Sequence, residues 1–216
     1  MIVTIDGPAG AGKSSVAKRL AQQLGFALLD TGSMYRALTL LAMRRAIPWD
    51  NTERLVSSVD DLRLDLKQQT VWLQNDEITS EIRTAEVTRE IRYVANNGAV
   101  RERLNVWQRE IATDQNIVTE GRDQGSEVFP LAACKIFLTA TVEERARRRV
   151  AQRKNQDENL DIELVRREIE RRDEGDRNRI VGPLVPAVDA IHFCTDQLSE
   201  EDVVHSLLLM VSNRME

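Results

Sequence analysis

Residues Gly7–Ser14 read G-P-A-G-A-G-K-S, a full match to the phosphate-binding loop pattern G-x-x-x-x-G-K-[ST]. The β-branched run at 2–5 precedes this stretch, and Val16, Leu20 and Leu24 follow it at helical spacing. A strand, a glycine-rich loop and a helix in this order form the setting in which the pattern binds a polyphosphate. The alternative, a glycine-rich turn with an exposed lysine, explains neither the spacing nor the context. The stretch therefore predicts a binding site for a nucleoside triphosphate.

Each part of the loop has a chemical task. Its glycines let the backbone curl so that several N–H groups point at one polyphosphate, and the following helix adds the positive end of its dipole. Lys13 is placed to reach the β- and γ-phosphates, and Ser14 is placed to offer its hydroxyl to Mg²⁺. We expect contacts with the triphosphate from the whole loop: Gly7, Pro8, Ala9, Gly10, Ala11, Gly12, Lys13, Ser14 and Ser15.

Length and composition limit the class of protein. A chain of 216 residues with 42% hydrophobic residues fits one soluble α/β domain with a small insertion. The first residues lack the basic start and long apolar region of a signal peptide, and no apolar stretch approaches the ~20 residues that cross a bilayer. The net charge of −5 argues against general binding of nucleic acid. We expect a cytoplasmic protein that binds neither membrane nor nucleic acid.

Cysteine and histidine give no sign of a disulfide or a zinc site. Cys134 and Cys194 each lie in a short apolar run, which predicts buried strand positions in a reducing compartment. The two histidines are isolated, and no Cys/His cluster has zinc-ligand spacing.

The apolar runs predict a fold of the α/β class. Short runs that read as buried strands, separated by helical patterns, favour a largely parallel sheet with helices on both faces. A helix is predicted at 33–45, with Met34, Leu38, Leu41 and Ala42 on one face. The predicted strands are 2–5, 26–29, 117–119, 135–139 and 190–194.

The segment 62–79 has a different period. Leu62, Leu64 and Leu66 alternate with polar residues, and the same alternation resumes after Gln68-Gln69, which predicts a β-hairpin with a third strand near Ile78. This pattern interrupts the α/β order, so we place a small inserted lobe at about 50–95.

The segment 143–179 is crowded with charge and predicts two helices around a polar connection near 154–160. One interpretation is a pair of solvated helices held by ion pairs between residues four apart. A second is a mobile cover whose arginines grip phosphate oxygens. A third is a nucleic-acid face, against which the interleaved acidic residues argue.

Three further constellations carry possible chemistry. Asp30–Arg36 opens a helix after the second strand, where a hydroxyl and an arginine form an anion site, although Thr31 or Ser33 as a helix cap is the alternative. Glu120–Asp123 follows a strand at the edge where open α/β sheets bind ligands, unless these are surface turn residues. Glu120 is placed there to support a metal through water. The third constellation, spaced to share one helical face, consists of Arg172, Asp176 and Arg179.

These residues together resemble bacterial cytidylate kinases. The blocks G-P-A-G-A-G-K-S-S, L-D-T-G-S-M-Y-R-A-L, S-E-I-R-T, V-R-E, E-G-R-D-Q-G, E-E-R-A-R-R-R, R-D-E-G-D-R-N-R and P-L-V-P-A-V-D-A occur in the order of that family and cover essentially the whole chain. The resemblance implies a P-loop NTPase three-layer fold with a parallel central sheet, an inserted β-containing lobe for the nucleoside monophosphate and a small helical lid. The implied core comprises about 1–49, 96–145 and 180–216, the insert about 50–95 and the lid about 146–179.

The resemblance also implies the reaction and the residues. The triphosphate is ATP with Mg²⁺, and the acceptor is CMP or dCMP. The implied acceptor site contains Thr31, Tyr35, Arg36, Arg101, Arg122, Asp123, Arg172, Asp176 and Arg179, and the implied catalytic residues are Lys13, Arg122, Arg149 and Arg179. Arg101 and Asp123 are implied at the cytosine ring, and Arg148 and Arg153 lie in the lid with Arg149.

One position departs from the family pattern. Arg92 stands where relatives have a serine that helps to recognise the base, which leaves the choice among pyrimidines open. A kinase for another nucleoside monophosphate, such as UMP, is therefore an alternative, as is a P-loop switch with no second nucleotide pocket. A monomer is the simplest expectation for a small kinase with moving lobes.

Overall fold

Strands and helices alternate along most of the chain. The computed structural model describes residues 1–66, 69–153 and 161–215, and within them every side chain except those of Gln152 and Arg153. Its strands are β1 (Ile2–Asp6), β2 (Ala27–Asp30), β3 (Leu62–Asp65), β4 (Thr70–Leu73), β5 (Asp76–Glu77), β6 (Ile117–Gly121), β7 (Cys134–Thr139) and β8 (Ile191–Cys194). Its α-helices are α1 (Lys13–Leu24), α2 (Thr31–Arg44), α3 (Thr52–Ser57), α4 (Ala85–Ala95), α5 (Gly98–Ile111), α6 (Val142–Arg153), α7 (Ile162–Arg177) and α8 (Glu200–Ser212).

The main sheet is parallel throughout, with strand order β2-β6-β1-β7-β8. Asp6 at the end of β1 stands opposite Gly121 of β6 and Phe137 of β7, and Asp30 of β2 stands opposite Glu120. All five strands therefore end at the same edge. The five strands predicted from the apolar runs are confirmed to within two residues at either end, and the α/β class is confirmed with them.

Helices cover both faces of this sheet. On one face, α1 and α8 pack against Val3, Ile5 and Ile136. On the other face, α2, α4 and α5 pack with the buried side chains of the insert. The predicted face of α2, with Met34, Leu38, Leu41 and Ala42, is fully buried in that second cluster. The result is three layers of helix, sheet and helix.

The segment after α2 contains the predicted β-hairpin. Strands β3 and β4 pair antiparallel, with Leu62 opposite Leu73 and Leu64 opposite Val71, and the short β5 adds the third strand. Val71 and Ile78 are buried in the same cluster as α2. The insert therefore shares its hydrophobic core with the main domain.

The two charged helices are confirmed as α6 and α7, and the predicted connection near 154–160 lies outside the described residues. Ala146 of α6 packs against Val165 and Ile169 of α7. This small apolar seam holds the helices together while their charged faces point outward or into the cleft described below.

The prediction for the second cysteine was wrong. Cys134 is buried in β7, but Cys194 is exposed at the end of β8. Because β8 is an edge strand, Ile191 and Phe193 pack on the core while the alternate residues, His192 and Cys194, face away from it. In the part of the chain that the structure describes, no helix is long and apolar enough to span a bilayer.

The two faces of α8 offer a matched test of the core. Leu207 is fully buried and Leu209, two positions later, is 54% exposed. We expect Leu207→Ala to lower the free energy of unfolding by about 2 to 5 kcal/mol, because it leaves a cavity against the sheet. Leu209→Ala should change the free energy by less than about 1 kcal/mol. Urea denaturation of both variants measures the difference, and equal losses would contradict this placement of α8.

Candidate active site

The P-loop joins β1 to α1 at the common edge of the sheet. Gly12 caps α1 with φ of 91°, in the left-handed region that glycine tolerates. Gly7 lies so close to β7 that a Cβ there would stand 2.0 Å from the carbonyl oxygen of Leu138. Lys13 is buried and its Nζ donates to the carbonyl oxygen of Pro8 at 2.8 Å. The loop therefore encloses its own lysine.

In front of the P-loop lies a cleft of about 790 Å³, a volume in the range of small-molecule sites. Its walls come from the P-loop, the start of α2, the end of β6 and helices α6 and α7. Residues 9–15 line it, whereas Gly7 and Pro8 support the loop from behind. All of the acceptor-site residues suggested by the sequence also line it: Thr31, Tyr35, Arg36, Arg101, Arg122, Asp123, Arg172, Asp176 and Arg179.

Glu120 connects the two halves of the cleft. Its Oε1 accepts a hydrogen bond from the Ser14 hydroxyl at 2.7 Å, and its carbonyl oxygen accepts one from the Thr31 hydroxyl at 2.7 Å. Burial, together with the charge of Asp30, raises the pKa of the Glu120 carboxyl. Burial, together with repulsion from Arg122, lowers the pKa of Lys13. The side chains of Glu120 and Lys13 thus lie in a poorly solvated site.

The carboxylate of Asp176 organises the far wall. It accepts a hydrogen bond from Nε of Arg122 at 2.8 Å and another from Nη2 of Arg179. Arg179 in addition donates to Oδ1 of Asn96 at 2.9 Å. Because α7 ends at Arg177, Arg179 lies in the turn after the helix rather than on it, yet it still faces the cleft.

Arg101 and Asp123 form a buried ion pair at one end of the cleft. Nη1 of Arg101 donates to the carbonyl oxygen of Ala95 at 3.1 Å, and its guanidinium carbon lies 5.3 Å from the ring centroid of Tyr35. Apolar side chains of α4, Ile91 and Ala95, complete this end. A flat group with donors and acceptors along its edge suits such a pocket.

The start of α2 corrects one prediction. The N-cap of this helix is Asp30, not Thr31 or Ser33. Its Oδ1 accepts a hydrogen bond from the backbone N–H of Ser33 at 3.0 Å. Since capping does not occupy the Thr31 hydroxyl, the capping explanation for this residue fails. Arg36 is held by the hydroxyl of Thr88 at 2.8 Å.

The cleft has an excess of positive charge. Among its lining residues ten side chains are cationic and five are carboxylates. Burial lowers the pKa of Arg172 to about 10, with repulsion from Arg122 as the next cause, and burial lowers the pKa of Arg36 and Arg179 as well. These guanidinium groups are under-neutralised, so anionic ligands would stabilise their charged forms.

The charged helices have the ion pairs of the first interpretation, and some of their arginines line the cleft, while a mobile cover that grips phosphate stays a prediction. Arg147 pairs with Glu144, and Arg166 pairs with Glu163 and Glu170, as expected for solvated helices. Arg148 and Arg149 both line the cleft, and the guanidinium of Arg148 donates to the hydroxyl and carbonyl oxygens of Thr195 at 2.8 and 2.7 Å. The side chain of Arg153 lies outside the described part of the chain.

Several residues in or beside the cleft were not found from the sequence alone. Arg83 of the insert lines the cleft and pairs with Asp30, although S-E-I-R-T gives no sign of this role. Asp6 lies behind the P-loop, and its two oxygens accept the N–H groups of Gln124 and Gly125 at 2.9 and 2.7 Å. The only sequence signal for Asp6 was its position at the end of the strand that precedes the P-loop.

Arg92 does not line the cleft. It is exposed on α4, where its guanidinium lies 4.8 Å from the ring centroid of Tyr93. Its effect on base choice stays a prediction that only activity measurements test.

A P-loop at the edge of a parallel sheet, facing a second arginine-rich anion site across one cleft, defines a phosphotransferase of the P-loop class. The family model for cytidylate kinase matches residues 3–213. The chain is 51% identical to a cytidylate kinase of Rhodopirellula baltica, over 98% of this chain and 92% of that one. It is 43% identical to a cytidylate kinase of Anoxybacillus flavithermus, over 99% and 97%. The chain belongs to the cytidylate kinase family.

A solved structure agrees with the fold. An uncharacterised protein from Eubacterium ventriosum superposes with a TM-score of 0.55 at 12% identity, over 98% of each chain. At this identity the likeness concerns the fold alone.

Asp6 provides a pH-dependent test of the site's support. Burial, partly offset by the N–H groups of Gly125 and Gln124, raises the pKa of Asp6 from 3.8 to about 6. Since the folded-state pKa is the higher one, stability from this group is fully present below pH 3.8 and is lost as the pH rises through about 6. The difference in unfolding free energy between wild type and Asp6→Asn should therefore shift by up to about 3 kcal/mol between pH 4 and pH 7. Urea titrations at these pH values measure it, and a constant difference would contradict the raised pKa.

Proposed function

We propose that this protein transfers the γ-phosphoryl group of ATP to CMP and dCMP, giving ADP and CDP or dCDP. The observation that carries the proposal is the convergence of a P-loop and nine acceptor-site residues on one cleft with an excess of cationic groups. A nucleotide switch has no need of the second anion site. Membership of the cytidylate kinase family supports cytidine as the acceptor nucleoside.

The proposed reaction requires placement and charge cancellation. An anionic oxygen of the acceptor phosphate attacks the γ-phosphorus, the new P–O bond forms, and the bond from γ-phosphorus to the β,γ-bridging oxygen breaks with its electrons leaving on ADP. No general base is needed, because the acceptor oxygen is already deprotonated. Lys13 binds the donor phosphates, and Arg122 and Arg179 cancel the charge that keeps the two phosphates apart. Arg149 is the proposed lid residue at the transferring group.

The residues present suit Mg²⁺ bound with the nucleotide. Ser14 and Glu120 place two hard oxygen donors 2.7 Å apart beside the P-loop, the ligand type that Mg²⁺ prefers. The described residues contain no group of three or more His, Cys, Asp or Glu side chains that could hold a metal ion. When bound, Mg²⁺ neutralises phosphate charge. Ser14 is the proposed direct ligand, and Glu120 the proposed partner through water.

The cytosine end is assigned to Arg101 and Asp123. Arg101 is a donor of fixed geometry, Asp123 is an acceptor, and together they match the mixed edge of a pyrimidine. The division into core, insert and lid stays a prediction, and closure of the lid would exclude water that otherwise hydrolyses ATP.

An assay of ADP release coupled to a visible signal tests the acceptor. With ATP and Mg²⁺ present, CMP and dCMP should stimulate release strongly, and UMP, AMP and GMP should do so much less. The amino group of cytosine can donate to the carboxylate of Asp123, whereas uracil has a carbonyl oxygen at that position. Equal turnover with UMP would show that the acceptor site does not distinguish cytosine from uracil. If no monophosphate raises the rate above that with ATP alone, the kinase function is wrong.

Arg179 and Arg177 offer a matched pair of variants. Arg179 binds Asp176 at the cleft, whereas Arg177, the last residue of α7, is exposed and does not line the cleft. Arg179→Ala should lower kcat by about a hundredfold or more, since it removes a donor that stabilises transferring charge. Arg177→Ala should stay within about twofold of wild type. Far-UV circular dichroism and a thermal melt check the fold of both, and near-normal turnover of Arg179→Ala would remove it from the mechanism.

A further inference from the structure

A buried ion pair behind the P-loop has no part in the proposed chemistry. Arg145 of α6 and Asp173 of α7 are bound to each other, and their side chains are only 3% and 2% exposed. Neither side chain lines the cleft. A pair of this kind costs desolvation of both charges, which apolar residues of similar volume would avoid.

The same pair binds the backbone of one P-loop residue, Ala9, on both sides of its Cα. Nη1 of Arg145 donates to the carbonyl oxygen of Ala9 at 3.0 Å, and the N–H of Ala9 donates to Oδ1 of Asp173 at 3.3 Å. Nε of Arg145 also donates to the carbonyl oxygen of Ala140, just beyond β7, at 3.1 Å. The P-loop, the end of β7 and both charged helices thus meet at one point.

Packing reinforces this junction. A Cβ added at Gly10 would stand 3.3 Å from Cβ of Arg145, so α6 lies directly against the loop backbone. Asp173 follows Arg172 and precedes Asp176 by less than one turn of α7. The position of Asp173 therefore fixes where these two cleft residues stand relative to the loop.

We propose that Arg145 and Asp173 are positioning residues that hold the P-loop and helix α7 in register, so that donor and acceptor phosphates meet in line. This inference rests on the proposed phosphoryl transfer. Neither side chain lines the cleft, so both act through the backbone of Ala9. With the pair absent, Ala9 turns freely and the loop N–H groups lose their common direction toward the donor phosphates.

The decisive variant is the double substitution Arg145→Met/Asp173→Leu. Apolar replacement of a buried ion pair commonly preserves or raises stability, so this variant separates folding from positioning. Asp173→Asn is the second variant, since it keeps shape and one acceptor. The control is Lys135→Met, which breaks the Lys135–Asp189 pair at the opposite end of β7.

Two readouts are compared with wild type. Binding of a non-hydrolysable ATP analogue with Mg²⁺, measured by calorimetry without acceptor, should weaken about tenfold in both variants of the Arg145–Asp173 pair and stay within twofold in Lys135→Met. The value of kcat with saturating ATP and CMP should fall about tenfold or more in the same two variants, with thermal midpoints of the double variant near wild type.

The outcomes separate the two proposals. If the analogue affinity and the kcat of a folded variant of the Arg145–Asp173 pair stay within twofold of wild type, the pair is only structural and the inference is overturned. If the double variant does not fold, Asp173→Asn decides by the same two criteria. If wild type fails to phosphorylate CMP while the variants still lose analogue affinity, the acceptor assignment fails and the positioning of the loop stands.

Discussion

The parallel direction of the five main strands is the constraint on which this molecule depends. Because every strand of the main sheet ends at one edge, β1 delivers the P-loop, β2 delivers Thr31 and β6 delivers Glu120 to the same place. A single antiparallel strand would move one of these groups to the opposite edge. The helices on each face then only need to be apolar toward the sheet, and their outward or cleft-facing residues are free to carry charge.

The cationic groups of the cleft impose a second constraint. Arg172 and Arg179 are buried beside Arg122, and Asp176 does not neutralise all three, as the lowered pKa values of Arg172 and Arg179 indicate. Such an arrangement is tolerated because the rest of the fold supplies stability. Bound phosphates would provide the missing negative charge. In this sense the substrates complete the electrostatics of the folded protein.

Features that depend on local sequence pattern could be predicted, and features that depend on packing between distant segments could not. The strands, α2 and the β-hairpin followed from periodicity, since Leu38 or Leu62 signals its buried side through its neighbours in sequence. The cleft residues of the P-loop and of Glu120–Asp123 followed from motif and strand order. The contacts of Arg83 and Asp173 could not be predicted from the sequence. The local pattern around an arginine or aspartate is the same whether its side chain faces water or another segment of the folded chain. Cys194 was misjudged because one apolar run does not tell an edge strand from a central one.

The two halves of the cleft come from different structural elements. Its phosphate-facing half belongs to the sheet edge, where Glu120 touches both Ser14 and Thr31 and leaves little freedom. Its apolar wall, with Ile91 and Ala95, belongs to α4, which packs on α2 and forms no part of the sheet edge. Substitution of Ile91 or Ala95 would therefore change the space at this end of the cleft while the contacts of Glu120 stay in place. For protein engineers, this helix is the place to begin a search for altered acceptors.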